Sequence, residues 1–429
     1  MYFFILAFDK YWCEPPLLKN EPIPNYDLIQ VHVITRHGAR TPLHISKTLN
    51  QKWICNNTEF QALTQNKSNP SHIYVTYGKS LFLGDCHFGQ LTGLGIQNLK
   101  KLGQHIKKIY SNDYKLIPTH YSEKNSNFFY FRTTSTHRTF HSAMSFLDGL
   151  YPNHPPIEIE VADKMLDPWK KSSHICPKLK NMLEIVRDSP EFHNKFSQNV
   201  TLINHANISK IIGVKDKTAS DIILPSRCSS MKLPQKISTK TLDMVSYTKA
   251  QMQKYVYESE NVWKLGFSYI LTQMMNEFIL KINGGRKKFI YWSGHDGNIF
   301  AFLGYGKVDY NLLPPFGSYV LAELWKKQSD FQSNSENSQS NSENAQSKSE
   351  NAQSKSENAQ SKSDNSNNYF IRFIYNGKPL ILPRIYNNSL IPFDILSSFL
   401  KENMPDPEKD CGLIKSKFEK ATVFSNDRE

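Results

Sequence analysis

The sequence predicts an α/β fold: a three-layer α/β/α sandwich around a mostly parallel mixed sheet, with a smaller, mainly helical insertion domain. Three apolar, β-rich runs predict buried strands, at residues 28–34, 127–131 and 288–293, and each run leads into a polar or glycine-containing motif. Residues 155–283 lose strand signals and carry apolar residues at helical intervals. A sheet interrupted by one long helical unit is therefore expected.

The remaining elements follow from local patterns. Apolar residues from Leu91 to Ile109 have helical spacing, and Thr92 fits the N-cap of that helix. A second helix should follow the strand at residues 127–131, and a third should begin near Asp296 or Asn298. Further helices are predicted within residues 178–186, 239–275 and 393–402, and further strands at residues 319–325 and 369–375.

These elements define an α/β domain and the segments around it. One segment, residues 327–368, repeats S-E-N-A-Q-S-K with a period of seven. No heptad position carries a large apolar residue, so a coiled coil cannot form, and we expect a disordered loop between two strands. The predicted divisions are an N-terminal segment (1–25), the α/β domain (26–152, 285–326 and 369–413), the helical insertion (153–284), the repeat (327–368) and a flexible tail (414–429).

Composition limits the classes of partner. The 429 residues carry a formal net charge of +13, which attracts anionic substrates. No basic helix or aromatic-rich basic patch recurs, so nucleic acid is not an expected partner. The apolar start of the chain, residues 1–8, lacks a basic beginning and a full hydrophobic region, and we interpret it as a piece of a signal peptide or membrane anchor.

The cysteines indicate an oxidising compartment. None of the six forms a C-x-x-C pair, which argues against zinc and thioredoxin-like sites, and their even number and wide spacing fit disulfides. Cys55 and Cys86 flank one loop and could close it. Five N-x-S/T acceptors favour the secretory route, whether secreted, lysosomal or Golgi: Asn56, Asn66, Asn199, Asn207 and Asn387.

The first strand leads into Arg36-His37-Gly38-Ala39-Arg40. Ligands bind at the carboxyl ends of strands in open α/β sheets. Two guanidinium groups suit phosphate oxygens, and the imidazole between them can attack phosphorus. The motif thus predicts a phosphate pocket with a nucleophile inside it.

Two later motifs also follow predicted strands. Arg132 ends the second strand and offers a third guanidinium, which suits the three oxygens of a transferring phosphoryl group. His295 and Asp296 follow the third strand in the phrase S-G-H-D-G. Each motif alone is also compatible with an ordinary turn or surface ion pair.

Together, R-H-G-x-R-x-P and the distant H-D pair resemble branch 2 of the histidine phosphatase superfamily, the histidine acid phosphatases. The similarity runs from about Asp27 to Cys411 and includes the G-Q-L-T and R-T-x4-R-T phrases. It implies hydrolysis of small-molecule or glycan phosphomonoesters with no metal or cofactor. His37 is the implied nucleophile, Asp296 the proton donor, and Arg36, Arg40, Arg132 and His295 the phosphate ligands, with Arg138 supporting the structure.

The resemblance also implies covalent links and assembly. Cys176 and Cys411 match positions that are bridged in relatives, whereas Cys228 is either free or paired with Cys13. A dimer is expected by family analogy. Some phrases, including C-x-x-G-Q-L-T, are similar to phosphoxylose phosphatase-like proteins, while prostatic or lysosomal-type acid phosphatases are close competitors. The alternative from another class is a catalytically inactive secreted binding protein or antigen with the same fold.

Overall fold

A computed structural model describes residues 12–55, 82–161, 167–170, 176–196, 207–214, 218–328 and 368–412. The heptapeptide repeat from residue 329 to 367, residues 1–11 and the tail lie outside the described residues, so the predictions for those segments stay predictions. Three of the five glycosylation acceptors also lie outside them: Asn56, Asn66 and Asn199.

The strands are β1 Tyr26–Arg36, β2 Lys52–Trp53, β3 Leu83–Gly84, β4 Phe129–Thr133, β5 Glu160–Val161, β6 Phe289–Gly294, β7 Tyr319–Lys327, β8 Tyr369–Tyr375, β9 Lys378–Pro379 and β10 Leu390–Pro392. The helices are α1 Gly93–Lys107, α2 His137–Leu150, α3 Pro177–Asp188, α4 Pro190–Phe196, α5 Ala219–Cys228, α6 Thr239–Glu258, α7 Glu260–Ile282, α8 Asp296–Tyr305 and α9 Phe393–Glu402.

Eight strands form one mixed sheet in the order β10-β8-β7-β1-β6-β4-β5, with β9 paired to β8. Strands β1, β6, β4 and β5 pair in parallel, whereas β7, β8, β9 and β10 add antiparallel pairs. The sheet is mixed, as predicted. Its parallel share is smaller than predicted, because the strands that follow β6 in the chain join by antiparallel pairing.

Helices cover both faces of the sheet, which confirms the three-layer sandwich. Successive side chains of a strand point to opposite faces. Val31 and Val33 of β1 therefore pack with α1 and α2, while Ile34 packs in the opposite core with α7, α8 and α9. Thr92 caps α1, since its hydroxyl accepts from Gly95 N, as the sequence predicts.

The insertion has its own small core, built from α5, α6 and the preceding loop. The predicted helical stretch 239–275 is two helices that meet at Ser259. The second of them, α7, packs against the sheet through residues such as Phe267 and Met274, although it falls inside the predicted insertion. Strand β4 begins two residues later than predicted, because Glu123–Phe128 form a 3-10 helix.

Three disulfides join distant parts of the chain. Cys55–Cys86 and Cys176–Cys411 are present, and Cys228 pairs with Cys13. The last of these ties the segment before β1 to the end of α5 in the insertion. Within the described part of the chain, every helix is too short or too polar to cross a membrane.

Candidate active site

Three strand ends meet at the candidate site. In the parallel pairing, Arg36 of β1 lies beside Gly294 of β6, and Ser293 of β6 lies beside Thr133 of β4. Because these strands run in the same direction, the residues after each one emerge at the same edge of the sheet. His37 and the His295-Asp296 pair are therefore brought together, although about 260 residues separate them in the chain.

Two glycines let the first motif pack tightly on α1. A Cβ atom at Gly38 would lie 2.5 Å from the Gly95 carbonyl oxygen, and one at Gly95 would lie 2.2 Å from the Ala39 oxygen. Neither position has room for a side chain. Gly38 N also donates to the Ser142 hydroxyl at 3.0 Å, so α2 holds the same loop.

His37 is held as a neutral imidazole. Its Nδ1 lies 2.9 Å from the Gly38 carbonyl oxygen, and because a carbonyl only accepts, Nδ1 carries the hydrogen and Nε2 carries the lone pair. Burial lowers the pKa of His37 well below its ordinary value, and the charges of Arg138, Arg36 and Arg40 lower it further. The ring therefore stays unprotonated even in mild acid, which is the state a nucleophile needs.

The two guanidinium groups of the first motif are buried and paired with carboxylates. Arg36 lies 3.2 Å from Asp296, donates to the Pro314 carbonyl, and stacks 4.4 Å from the centre of the Phe316 ring. Arg40 donates to Asp221 of α5 at 2.8 Å. Arg40 is thus anchored by the helical insertion, and no local sequence pattern predicts this partner.

Arg132, the predicted third phosphate ligand, is paired with carboxylates in this structure. Its guanidinium is 3.0 Å from Asp167, whose side chain is fully buried, and 3.6 Å from Glu160 of β5. A phosphate group would have to compete with these two carboxylates for the Arg132 guanidinium. No charge of Arg132 is among the main influences on His37.

Arg138 lies close to His295, although the resemblance implies a supporting role for it. It is the second residue of α2, its Nη2 is 3.4 Å from His295 Nδ1, and its charge is the strongest electrostatic influence on His37. The start of a helix is an anion-binding position, and that rule was the signal available in the sequence. Burial lowers the pKa of Arg138 to about 10, so it remains a cation.

His295 lies close to His37, and Asp296 lies close to Arg36. The His295 ring is 5.8 Å from that of His37, and its Nε2 donates to the Thr134 hydroxyl at 3.1 Å. Burial raises the pKa of Asp296, but Arg36 and Arg40 outweigh burial and hold it below its ordinary value. Asp296 is therefore a carboxylate while Arg36 and Arg40 have no other anion to bind.

A cleft of about 260 Å³ opens beside these residues. Arg36, Arg40 and Asp296 line its floor, and α3, α5 and α6 of the insertion supply the facing wall. Trp12 and Phe316 add aromatic surface to the cleft.

A separate cluster, formed by Cys55, Asp85 and Cys86, has side-chain atoms within metal-ligand distance of one another. The two sulfurs form a disulfide, so they cannot bind a metal as thiolates.

Comparison with known proteins shows the family of this chain. A family model described as histidine phosphatase superfamily (branch 2) matches residues 27–376. Counting factor 60 of Dictyostelium discoideum is 28% identical, with 76% of this chain and 83% of that protein covered. The 2-phosphoxylose phosphatase 1 of Xenopus tropicalis is 22% identical, with 92% and 79% covered.

Solved structures show the same fold at low identity. The Citrobacter braakii phytase has a TM-score of 0.55 at 15% identity, and covers 90% of this chain and 99% of its own. The Hafnia alvei phytase in complex with myo-inositol hexakis sulphate has a TM-score of 0.58 at 11% identity, with 90% and 99% covered.

Proposed function

Because this chain belongs to branch 2 of the histidine phosphatase superfamily, we propose that it is an acid phosphatase that hydrolyses phosphomonoesters through a phosphohistidine at His37. One observation carries the proposal: a neutral, buried imidazole whose Nε2 holds a lone pair lies among three guanidinium groups, those of Arg36, Arg40 and Arg138. A nucleophile and a cationic pocket are the two requirements of phosphoryl transfer.

The reaction has two steps. In the first, the Nε2 lone pair of His37 attacks phosphorus, the bond from phosphorus to the ester oxygen breaks, and Asp296 gives its proton to the departing oxygen. In the second, water attacks the phosphohistidine, Asp296 takes a proton from that water, and the bond from phosphorus to Nε2 breaks. Inorganic phosphate leaves, and both side chains return to their starting states.

The guanidinium groups stabilise the negative charge on the phosphoryl oxygens. Arg36 and Arg40 are already fixed by Asp296 and Asp221. We assign the third position to Arg138 rather than to Arg132, because Arg138 adjoins His37 and His295 while Arg132 is bound to Asp167. His295 becomes a further ligand when its ring releases Thr134.

Asp296 must carry a proton when the substrate is bound. Its pKa is low while Arg36 and Arg40 act on it. A bound phosphoryl group competes for those same cations, which weakens their hold and raises the pKa of Asp296 towards and above its ordinary value. Protonation then requires mild acid, so activity should fall as pH rises towards neutrality.

Three disulfides indicate an oxidising compartment, and we place the enzyme in the secretory pathway. A more specialised sugar-phosphate phosphatase is the second candidate, because 2-phosphoxylose phosphatases are among its relatives. A binding protein without catalysis is the third, and the complete set of His37, Arg36, Arg40, His295 and Asp296 argues against it.

The test is phosphate release from p-nitrophenyl phosphate between pH 4 and 7. Wild-type protein should turn over and should form an acid-labile phosphohistidine that can be trapped by rapid alkaline quenching. His37→Ala should lose both properties, whereas His193→Ala, an exposed histidine on α4, should keep both. Folded wild-type protein with no turnover in this range would refute the proposal.

A further inference from the structure

The cleft holds more positive charge than the phosphoryl group uses. Arg36 and Arg40 are paired with Asp296 and Asp221 and face the reaction centre. Two more cations line the same cavity from the helical insertion: Arg187 in the last turn of α3 and Lys249 in α6. Among the described residues, neither has a carboxylate within 4.0 Å.

Lys249 is the better defined of the two cations. Its ammonium contacts the Ser220 hydroxyl of α5, a neutral partner. Burial lowers the pKa of Lys249, and the carboxylates of Asp296 and Asp221 act in the opposite direction, which places its charge near both of them. A half-buried ammonium with no carboxylate in direct contact has lost hydration, and an anion bound in the cleft would supply the missing contact.

The neighbouring side chains suit the rest of a substrate. Gln253 and Tyr257 follow Lys249 on α6 at four-residue intervals, so the three share one face of that helix. Gln253 offers an amide for hydrogen bonds, while Tyr257 and Phe300 have stacked rings and offer an apolar wall. The wall faces the alcohol portion of an ester whose phosphoryl group lies on Arg36 and Arg40.

We propose that the preferred substrate is a phosphomonoester whose alcohol portion carries a second anionic group, a phosphate or a carboxylate, bound by Lys249 and Arg187. This inference rests on the proposed function for its catalytic half and adds the substrate class. The second anion supplies the missing partner for the two cations and orients the ester oxygen towards Asp296.

Matched aryl esters test the idea. We compare 4-carboxyphenyl phosphate and 1,4-phenylene bisphosphate with 4-carbamoylphenyl phosphate, which has nearly the shape of the carboxylate without its charge. A contact between an ammonium and a charged acceptor corresponds to about 10-fold in affinity or more, so kcat/KM should be about 10-fold higher for both anionic esters. The two anionic arms also distinguish a carboxylate from a phosphate as the favoured group.

Variants assign the effect to the cleft. Lys249→Met should reduce the ratio of kcat/KM between the anionic and neutral esters to near one, and Lys249→Arg should restore much of it. Lys240→Met removes the same charge from an exposed position on α6 and should keep the ratio. An unchanged ratio in folded Lys249→Met, or equal rates for charged and neutral esters, would overturn the inference.

Binding separates this inference from the proposed function. His37→Ala protein should bind 4-carboxyphenyl phosphate about 10-fold more tightly than the carbamoyl ester by calorimetry, and the double variant with Lys249→Met should not. Equal affinities refute the substrate class even in an active enzyme. If the protein binds the carboxyphenyl ester more tightly but the wild type hydrolyses neither ester, only the catalytic proposal is refuted.

Discussion

Replacing Arg132 and Arg138 by methionine in separate proteins should give opposite phenotypes. In Arg132→Met, the fully buried Asp167 loses its guanidinium partner and keeps the backbone N–H of Trp169, 3.0 Å away. Removing one member of a buried ion pair costs about 3–5 kcal/mol of unfolding free energy. Unfolding entropy of about 2.1 cal/mol/K per residue over roughly 310 described residues converts this cost to a fall in Tm of about 5–8 °C.

Arg138→Met should instead damage catalysis. Arg138 lies between His295 and His37 and has no carboxylate within 4.0 Å among the described residues, so its loss leaves no buried anion unpaired. Losing one preorganised donor to a transition-state charge costs about 10²–10³-fold in kcat. The assay is kcat for p-nitrophenyl phosphate at pH 5, measured on folded protein, together with thermal unfolding of both variants.

The pH dependence provides an internal check. Burial already raises the pKa of Asp167, and Arg132 opposes that rise. Without Arg132 the folded-state pKa rises further, so the folded variant holds a proton that the unfolded chain has released. The loss of unfolding free energy in Arg132→Met, relative to wild type, should therefore be smaller at pH 4 than at pH 7. If Arg132→Met keeps the wild-type Tm and loses activity as expected for Arg138→Met, the assignment of Arg138 is wrong.

Three other predictions concern the acid, an anchor and a disulfide. Asp296→Asn should lower kcat by about 10²–10⁴-fold for an alkyl phosphate. The loss should be much smaller for p-nitrophenyl phosphate, because its phenolate leaves without a proton. Equal losses of kcat for the two substrates would contradict the acid role of Asp296. Asp221→Ala should release Arg40 and lower kcat/KM by about 10–100-fold, with Asp221→Asn intermediate, and an unchanged value would show that Arg40 needs no anchor. Replacing Cys13 and Cys228 together by alanine should cost about 2–5 kcal/mol in denaturant unfolding, which a wild-type midpoint would contradict.

Much of the fold could be predicted from local patterns. The apolar, β-rich run of β1 and the helical spacing of α1 are patterns of neighbouring residues, and both elements formed where expected. Helix α9 begins at Phe393 and ends at Glu402, as the sequence predicts. Long-range pairing is different, because no local pattern specifies that the strands after β6 join the sheet antiparallel. The predicted parallel share was too large for that reason.

The candidate site divides in the same way. His37, Arg36 and Arg40 are adjacent in one motif, and the parallel register of β1 with β6 brings His295 and Asp296 to them. Arg132 and Arg138 lie in one short phrase, and the resemblance favours Arg132 as the phosphate ligand. Our proposal of Arg138 depends on the tertiary structure, in which Asp167 binds Arg132 and Arg138 lies beside His295.

The sequence by itself determined the residue types of the proposed reaction: a histidine as nucleophile, arginines as cations and an aspartate as acid, in motifs that follow strands. Their chemistry depends on covalent identity, which the sequence states directly. The tertiary structure decided that Arg138 lies beside His295, that Asp221 binds Arg40, and that Lys249 and Arg187 line the same cleft. These three arrangements depend on contacts between residues far apart in the chain, and the last two form only when the insertion packs over the edge of the sheet.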